Sequence, residues 1–180
     1  MRKVTLKMIY EHPITQKYVR RSGMAHAISV AYHAFRLAKD YDVNPDWAVK
    51  AGFLHDIGHY EWYQDGEWDY SQYRNYDIHP IKGAERAHKL LVRLGEDKRA
   101  AKEISHAVLF HTDSALPEGN YELNSLQKVV HLADERDKQP GDFHHYRNIN
   151  QEKEVRLIEE LDQKIENYLA EKNRDVSKNG

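Results

Sequence analysis

Apolar residues recur at helical spacing along almost the whole chain, and the strict alternation that marks strands is nearly absent. Such a sequence can bury its apolar side chains only by packing helix on helix, so an all-α fold is expected. A first long helix is expected at about 24–41, with Ala27, Val30, Ala31, Ala34, Leu37 and Ala38 on one side. Asn44-Pro45 reads as an N-cap followed by proline at the first helical position, and Gly58 as the end of that helix. Further helices are expected at about 80–94, 97–110, 125–137 and 151–172, with residues 173–180 as a disordered tail. Residues 61–77 break the pattern. They are polar and aromatic, contain Asp65-Gly66, and read as a long loop whose aromatics either anchor the loop itself or serve as a lid or base-stacking surface.

Composition narrows the function. The 180 residues carry a formal net charge of −2, which supplies no basic excess for a nucleic-acid backbone. No apolar run approaches the roughly 18 residues of a membrane span, and the first 16 positions lack the apolar centre of a secretion signal. Cytoplasmic residence without nucleic-acid or membrane partners is therefore expected. Cysteine is absent, so any metal site must use nitrogen and oxygen.

Histidine is the residue in excess, at 12 copies. His26 falls on the inward face of the first long helix, and His55-Asp56 at the end of the second. His79 opens the third, His111 ends the fourth on the stripe Ala101, Ile104, Val108, and Asp134 sits on the apolar face of the fifth. A carboxylate on a buried face is costly unless a cation compensates it. Imidazole with carboxylate suits iron, manganese, cobalt, nickel or zinc.

In order, His26, His55-Asp56 and Asp134 resemble the H…HD…D signature of the HD-domain superfamily, mainly metal-dependent phosphohydrolases. The resemblance spans about 20–137 and is carried by His26-Ala-Ile-Ser-Val-Ala, Gly52-Phe-Leu-His-Asp-Ile-Gly, His79-Pro-Ile-Lys-Gly-Ala-Glu and Leu126-Gln-Lys-Val-Val-His-Leu-Ala-Asp134. Within it, His111-Thr112 and the run 125–134 look most like bacterial symmetrical diadenosine tetraphosphate hydrolases. The chain departs from those enzymes at His59, where they carry lysine, and at Glu135-Arg-Asp-Lys, where they carry a Tyr-Ile-Glu-Pro type segment.

The resemblance implies an HD helical bundle at 21–138, an N-terminal segment at 1–20, and a linker, amphipathic helix and tail at 139–180. It implies one or two divalent metals, with His26, His55, Asp56 and Asp134 holding one and His79, His111 and bridging Asp56 the other. The substrate would be a small phosphorylated molecule, a nucleotide or dinucleoside polyphosphate. Asp56, His59 and Lys82 are the catalytic candidates, and Arg21, Lys82, Arg86 and His106 the substrate-binding ones. Two HD-type alternatives are a di-iron oxygenase and a non-catalytic nucleotide or metal sensor. His33 is expected behind the ligands. His12, His88, His131, His144 and His145 read as surface or hydrogen-bonding residues. The last helix is expected to serve packing or a homodimer contact.

Overall fold

Helices begin where side chains can cap them. In the computed structural model, which describes residues 2–60, 63–64, 67–68 and 76–178, Thr5 accepts from Met8 N to open α1 (Leu6–Glu11). The His12 ring accepts from Ile14 N to open α2 (Pro13–Ser22). These two caps open helices within residues 6–20, a stretch to which periodicity assigns no element. Gly23, at φ 111°, turns the chain into α3 (Met24–Asp40). Asn44 and Pro45 open α4 (Pro45–Leu54) as the sequence predicts. The regular helix stops at Leu54, earlier than Gly58, and residues 55–58 form tight turns that turn His55 and Asp56 away from the helical ladder.

A two-residue antiparallel pairing follows, β1 (Tyr63–Gln64) with β2 (Glu67–Trp68). The remaining residues between 61 and 75, including Trp62, Tyr70 and Tyr73, lie outside the described residues, so the lid reading falls there. Next come α5 (His79–Leu94), α6 (Lys98–Leu109), and α7 (Ser125–Asp137), which a capping box of Asn124 and Gln127 opens. A short 3-10 helix (Pro140–Tyr146) precedes α8 (Gln151–Lys178). The expectation of a disordered tail from Asn173 is corrected by α8, which continues to Lys178. No Gly or Pro interrupts it before Gly180.

α3 is the central helix and packs against α4, α7, α2 and α8, while α5 lies along α6. Alanines at the crossings, Ala31, Ala34, Ala48, Ala51 and Ala133, are fully buried and let the backbones approach closely. Phe53 and Leu90 fill the larger gaps, each worth about 1.5–3 kcal/mol of apolar burial. α8 closes the bundle with buried Ile158, Leu161 and Ile165, and its Asp162 accepts from Leu6 N and Lys7 N at the start of α1. No described helix is long and apolar enough to cross a membrane.

Away from the histidines lies a buried ionic group. Lys50, fully enclosed, donates to Asp46 Oδ2 at 2.6 Å and to Glu96, and Arg2 donates to Asp46 Oδ1 at 2.6 Å and to Asp162. Each charge meets an opposite one, the condition under which such burial is tolerated.

Candidate metal centre

Five elements deliver their ligand-type side chains to one point. His26 comes from the first turn of α3, His55 and Asp56 from the turn after α4, and His79 from the first residue of α5. His111 lies just past α6, and Asp134 is on α7. All six are at most 7% exposed.

The approach of α5 depends on glycine. A Cβ on Gly58 would stand 1.9 Å from His79 O and 2.3 Å from Gly83 N, inside backbone atoms that cannot move aside. Without side chains at Gly58 and Gly83 to hold them apart, the turn after α4 and the start of α5 touch, and His79 reaches the pair His55-Asp56.

The proton positions follow from the partners. His55 donates from Nδ1 to Gly52 O at 2.7 Å, and His111 from Nδ1 to Val108 O at 2.6 Å. His26 donates from Nδ1 to Asp137 Oδ2 at 2.6 Å, and His79 from Nδ1 to Asp77 Oδ2. Each ring thus turns Nε2 inward, with its lone pair as the ligating site. His26 Nε2 lies 3.2 Å from His55 Nε2, and His79 Nε2 lies 3.1 Å from His111 Nε2. Facing lone pairs at that distance repel unless a cation lies between them.

Asp56 spans the two pairs. Its Oδ2 is 3.2 Å from His55 Nε2 and 3.8 Å from His26 Nε2, while its Oδ1 is 3.4 Å from His111 Nε2 and 3.5 Å from His79 Nε2. Asp134 Oδ1 adds to the first pair, 3.3 Å from His26 Nε2 and 3.4 Å from His55 Nε2. Two donors each about 2.1 Å from one ion lie about 3.0–3.4 Å apart, close to these separations. The donor set and its spacing fit a divalent metal.

The electrostatics agree. Burial alone would raise Asp56 and Asp134, yet the surrounding imidazoles, His55 foremost, hold both far below the ordinary carboxylate range. Burial likewise opposes charge on His55 and His26, but Asp56, Asp134 and Asp137 hold both above the ordinary histidine value. The cluster demands positive charge at its centre, supplied by protons or by metal. His79 is pushed down by burial, which favours its neutral, ligating form.

The structure adds four residues to those predicted. Asp77 and Asp137 orient His79 and His26, and Asp137 also accepts from Ser29 Oγ at 2.6 Å and from Arg147. The signal for them was local: Asp77 precedes His79 by two positions, and Asp137 follows Asp134 by one helical step of three. His144 and His145, read as surface or hydrogen-bonding residues, do make hydrogen bonds, His144 accepting from Gln139 N at 3.1 Å and His145 donating to Ser22 O at 2.7 Å, and the 3-10 helix brings them to the cluster, His144 buried and His145 partly so. His144 is 2% exposed, and the two ring centroids lie 4.7 and 5.0 Å from that of His26. Burial pushes His145 down to about 4. Gly23 permits this approach, since a Cβ there would stand 2.8 Å from His145 O.

A cavity of about 260 Å³ opens beside the cluster, lined by Asp56, His59, His79, His111, Lys138, His145 and neighbours. His59 stacks on His79 at 4.3 Å, with Nε2 3.2 Å from Asp56 Oδ1. Lys138 Nζ is 3.4 Å from Asp134 Oδ2.

The other cations expected at the substrate are not among the described residues that line this cavity. Arg86 donates to Ile57 O at 2.9 Å and covers the Tyr18 ring at 3.7 Å, so it braces the turn after Asp56. Lys82 Nζ covers the Tyr60 ring at 4.4 Å, and Arg21 lies 5.5 Å from the Tyr18 ring. Neither they nor half-buried His106 line the cavity. Helical rotation accounts for this, because five residues separate His106 from His111 and turn it to another face. His33 Nε2 lies 4.0 Å from Asp137 Oδ1, behind the ligands as expected, and His131 donates to His111 O at 2.8 Å.

Residues 23–139 match the HD domain family. The chain belongs to the HD-domain family. The matched span runs from the turn before His26 to just beyond Asp137, so it holds every ligand-type residue described above except His144 and His145. Over 170 residues the chain is 61% identical to "Putative phosphohydrolase YueE" of Bacillus subtilis (strain 168), covering 94% of this chain and 97% of that protein. No solved structure matches it. As an HD domain with this His/Asp cluster, the protein has a centre able to hold divalent metal.

Proposed function

We propose that this chain is a metal-dependent phosphohydrolase that cleaves a phosphoester or phosphoanhydride bond, with a nucleotide or dinucleoside polyphosphate as substrate. Membership of the HD family and the phosphohydrolase name of its relative support the reaction class. The observation that carries the metal dependence is the two facing Nε2 pairs spanned by Asp56.

In this reading His26, His55, Asp56 and Asp134 hold one ion, and His79, His111 and the second oxygen of Asp56 hold another. Iron, manganese, cobalt, nickel and zinc all suit this donor set. Bound divalent ions supply Lewis acidity and lower the pKa of water. The protein's own groups do the rest. Asp77 and Asp137 fix the ring orientations, so ligand geometry is set before substrate arrives. Lys138 at the cavity wall offers positive charge to phosphoryl oxygens, the role assigned by sequence to Lys82, Arg21 and Arg86. His59, one fifth exposed and in contact with Asp56, is placed to hand a proton to the leaving oxygen.

The nucleotide assignment rests on the likeness to diadenosine tetraphosphate hydrolases, and the cavity beside the cluster, lined by histidines and Lys138, suits the phosphate part of such a substrate. The test is metal analysis of the purified protein with a phosphate-release screen over mono- and dinucleotides. Release by the metal-loaded protein and none by Asp56→Ala is expected. No release from any phosphorylated compound under any of the five metals overturns the proposal.

A further inference from the structure

A second cavity, of about 490 Å³, lies between α3 and the start of α8 and shares no lining residue with the metal cavity. Its size falls within the usual range for small-molecule sites, about 300–1,000 Å³. One side is cationic, with Arg36, Arg147 and Lys153. The other is apolar or aromatic, with Tyr32, Ile149 and Leu157. Among the described residues that line it, none is acidic.

The charges here are under-used. Among the described residues Arg36 and Lys153 make no ion pair. Arg147 spends one end of its guanidinium on Asp137, while its buried Nε has no hydrogen-bond partner. An enclosed guanidinium N–H without an acceptor is a cost that an anion would remove. Arg147 and Ser29 both line the cavity, and both hold Asp137, which orients His26. Whatever engages Arg147 therefore acts on the partner of a ligand-type histidine one bond away.

We infer that this cavity binds a small organic anion, a phosphate or carboxylate on an apolar or aromatic body, and that its occupancy is coupled to the metal centre through Arg147, Asp137 and His26. The anion lies among Arg36, Arg147 and Lys153, and the body rests on Tyr32, Ile149 and Leu157. Arg147 shared between the anion and Asp137 neutralises that carboxylate less and leaves it a stronger acceptor for His26 Nδ1, so occupancy strengthens metal binding.

The probe is anilinonaphthalene sulfonate, an aromatic body with one sulfonate, a group that ligates metals poorly. It is titrated by fluorescence into the metal-loaded full chain. One saturable site is expected, weakened by about tenfold or more in the double variant Arg36→Glu, Lys153→Glu, which reverses two ion pairs. Both residues are exposed, so far-UV circular dichroism should match wild type. Lys138→Ala, at the metal cavity, should leave probe affinity unchanged. Displacement by adenosine monophosphate but not octanoate identifies a phosphate ligand, and the reverse a carboxylate. In the same protein, saturating probe should strengthen metal binding in chelator competition by about threefold or more, and not in the double variant. Unchanged probe affinity in the double variant, equal loss in Lys138→Ala, displacement by neither anion, or metal affinity indifferent to the probe overturns the inference. So does a dimer, seen by sedimentation, that the double variant dissociates, because a second copy would then cover the cavity.

Discussion

The histidines of the centre are organised less by their own positions than by what each Nδ1 touches. His55 and His111 lean on carbonyls of their own chain segments, which substitution cannot remove, whereas His26 and His79 lean on Asp137 and Asp77. That difference predicts unequal tolerance. Asp137→Asn keeps the shape and weakens the acceptor for His26, so metal affinity should fall by about 10- to 100-fold with helical content unchanged. Chelator competition on the folded variant checks this, and wild-type affinity would contradict it. Asp56→Ala removes the carboxylate that spans both pairs, and both metal retention and turnover should be lost. His59→Gln keeps a polar contact to Asp56 and removes the imidazole proposed as proton donor. Turnover should drop by about 100-fold or more with metal content retained, measured as phosphate release.

Between elements, one contact lets the ligands meet and another holds the bundle closed. At the first, the turn after α4 touches the start of α5 at Gly58 and Gly83. Gly58→Ala should cost more than about 3 kcal/mol in urea unfolding, because the intruding methyl meets backbone rather than a side chain that can rotate away. The second fastens α8 to α1 and α2. Glu154, 2% exposed, accepts from Arg20 at 2.8 and 3.0 Å and from Tyr10 at 2.7 Å. Burial works to raise its pKa, but Arg20 and Tyr10 outweigh burial and hold it below the ordinary glutamate value. A carboxylate depressed in the folded state stabilises the fold above its unfolded pKa, and that contribution is lost as pH falls through the folded value. The urea midpoint should therefore fall between about pH 5 and pH 3 more steeply in wild type than in Glu154→Gln. Parallel slopes would place the acid sensitivity elsewhere.

At the scale of the molecule, the centre is a cross-link. Its ligands come from five elements, so metal should bind the folded chain far better than the unfolded one. With metal at 100 times its dissociation constant the stabilisation should be about 2.7 kcal/mol, and chelation should lower the melting temperature accordingly. The ionic group around Lys50 has no such dependence, and Lys50→Met should cost about 3 kcal/mol whether or not metal is present, because it leaves Glu96 enclosed without its cation.

The sequence by itself determined the course of α3 to α8 and marked the six ligand-type residues, because both are written in local terms. A 3.6-residue period, a cap such as Asn44, or an ionisable side chain on an apolar stripe can be read within one turn of chain. The His55-Asp56 dipeptide and Asp134 were legible for that reason. What surrounds them was not. His144 and His145 sit between the exposed aromatics Phe143 and Tyr146 and show no apolar stripe, and it is the return of the 3-10 helix onto Gly23 that carries them to the cluster. Lys138 and Lys82 are indistinguishable as charges along the chain. Helix rotation puts the first at the cavity wall and the second over Tyr60. Orientation and long-range approach are set by packing among α3, α5 and α7, and no local pattern contains them.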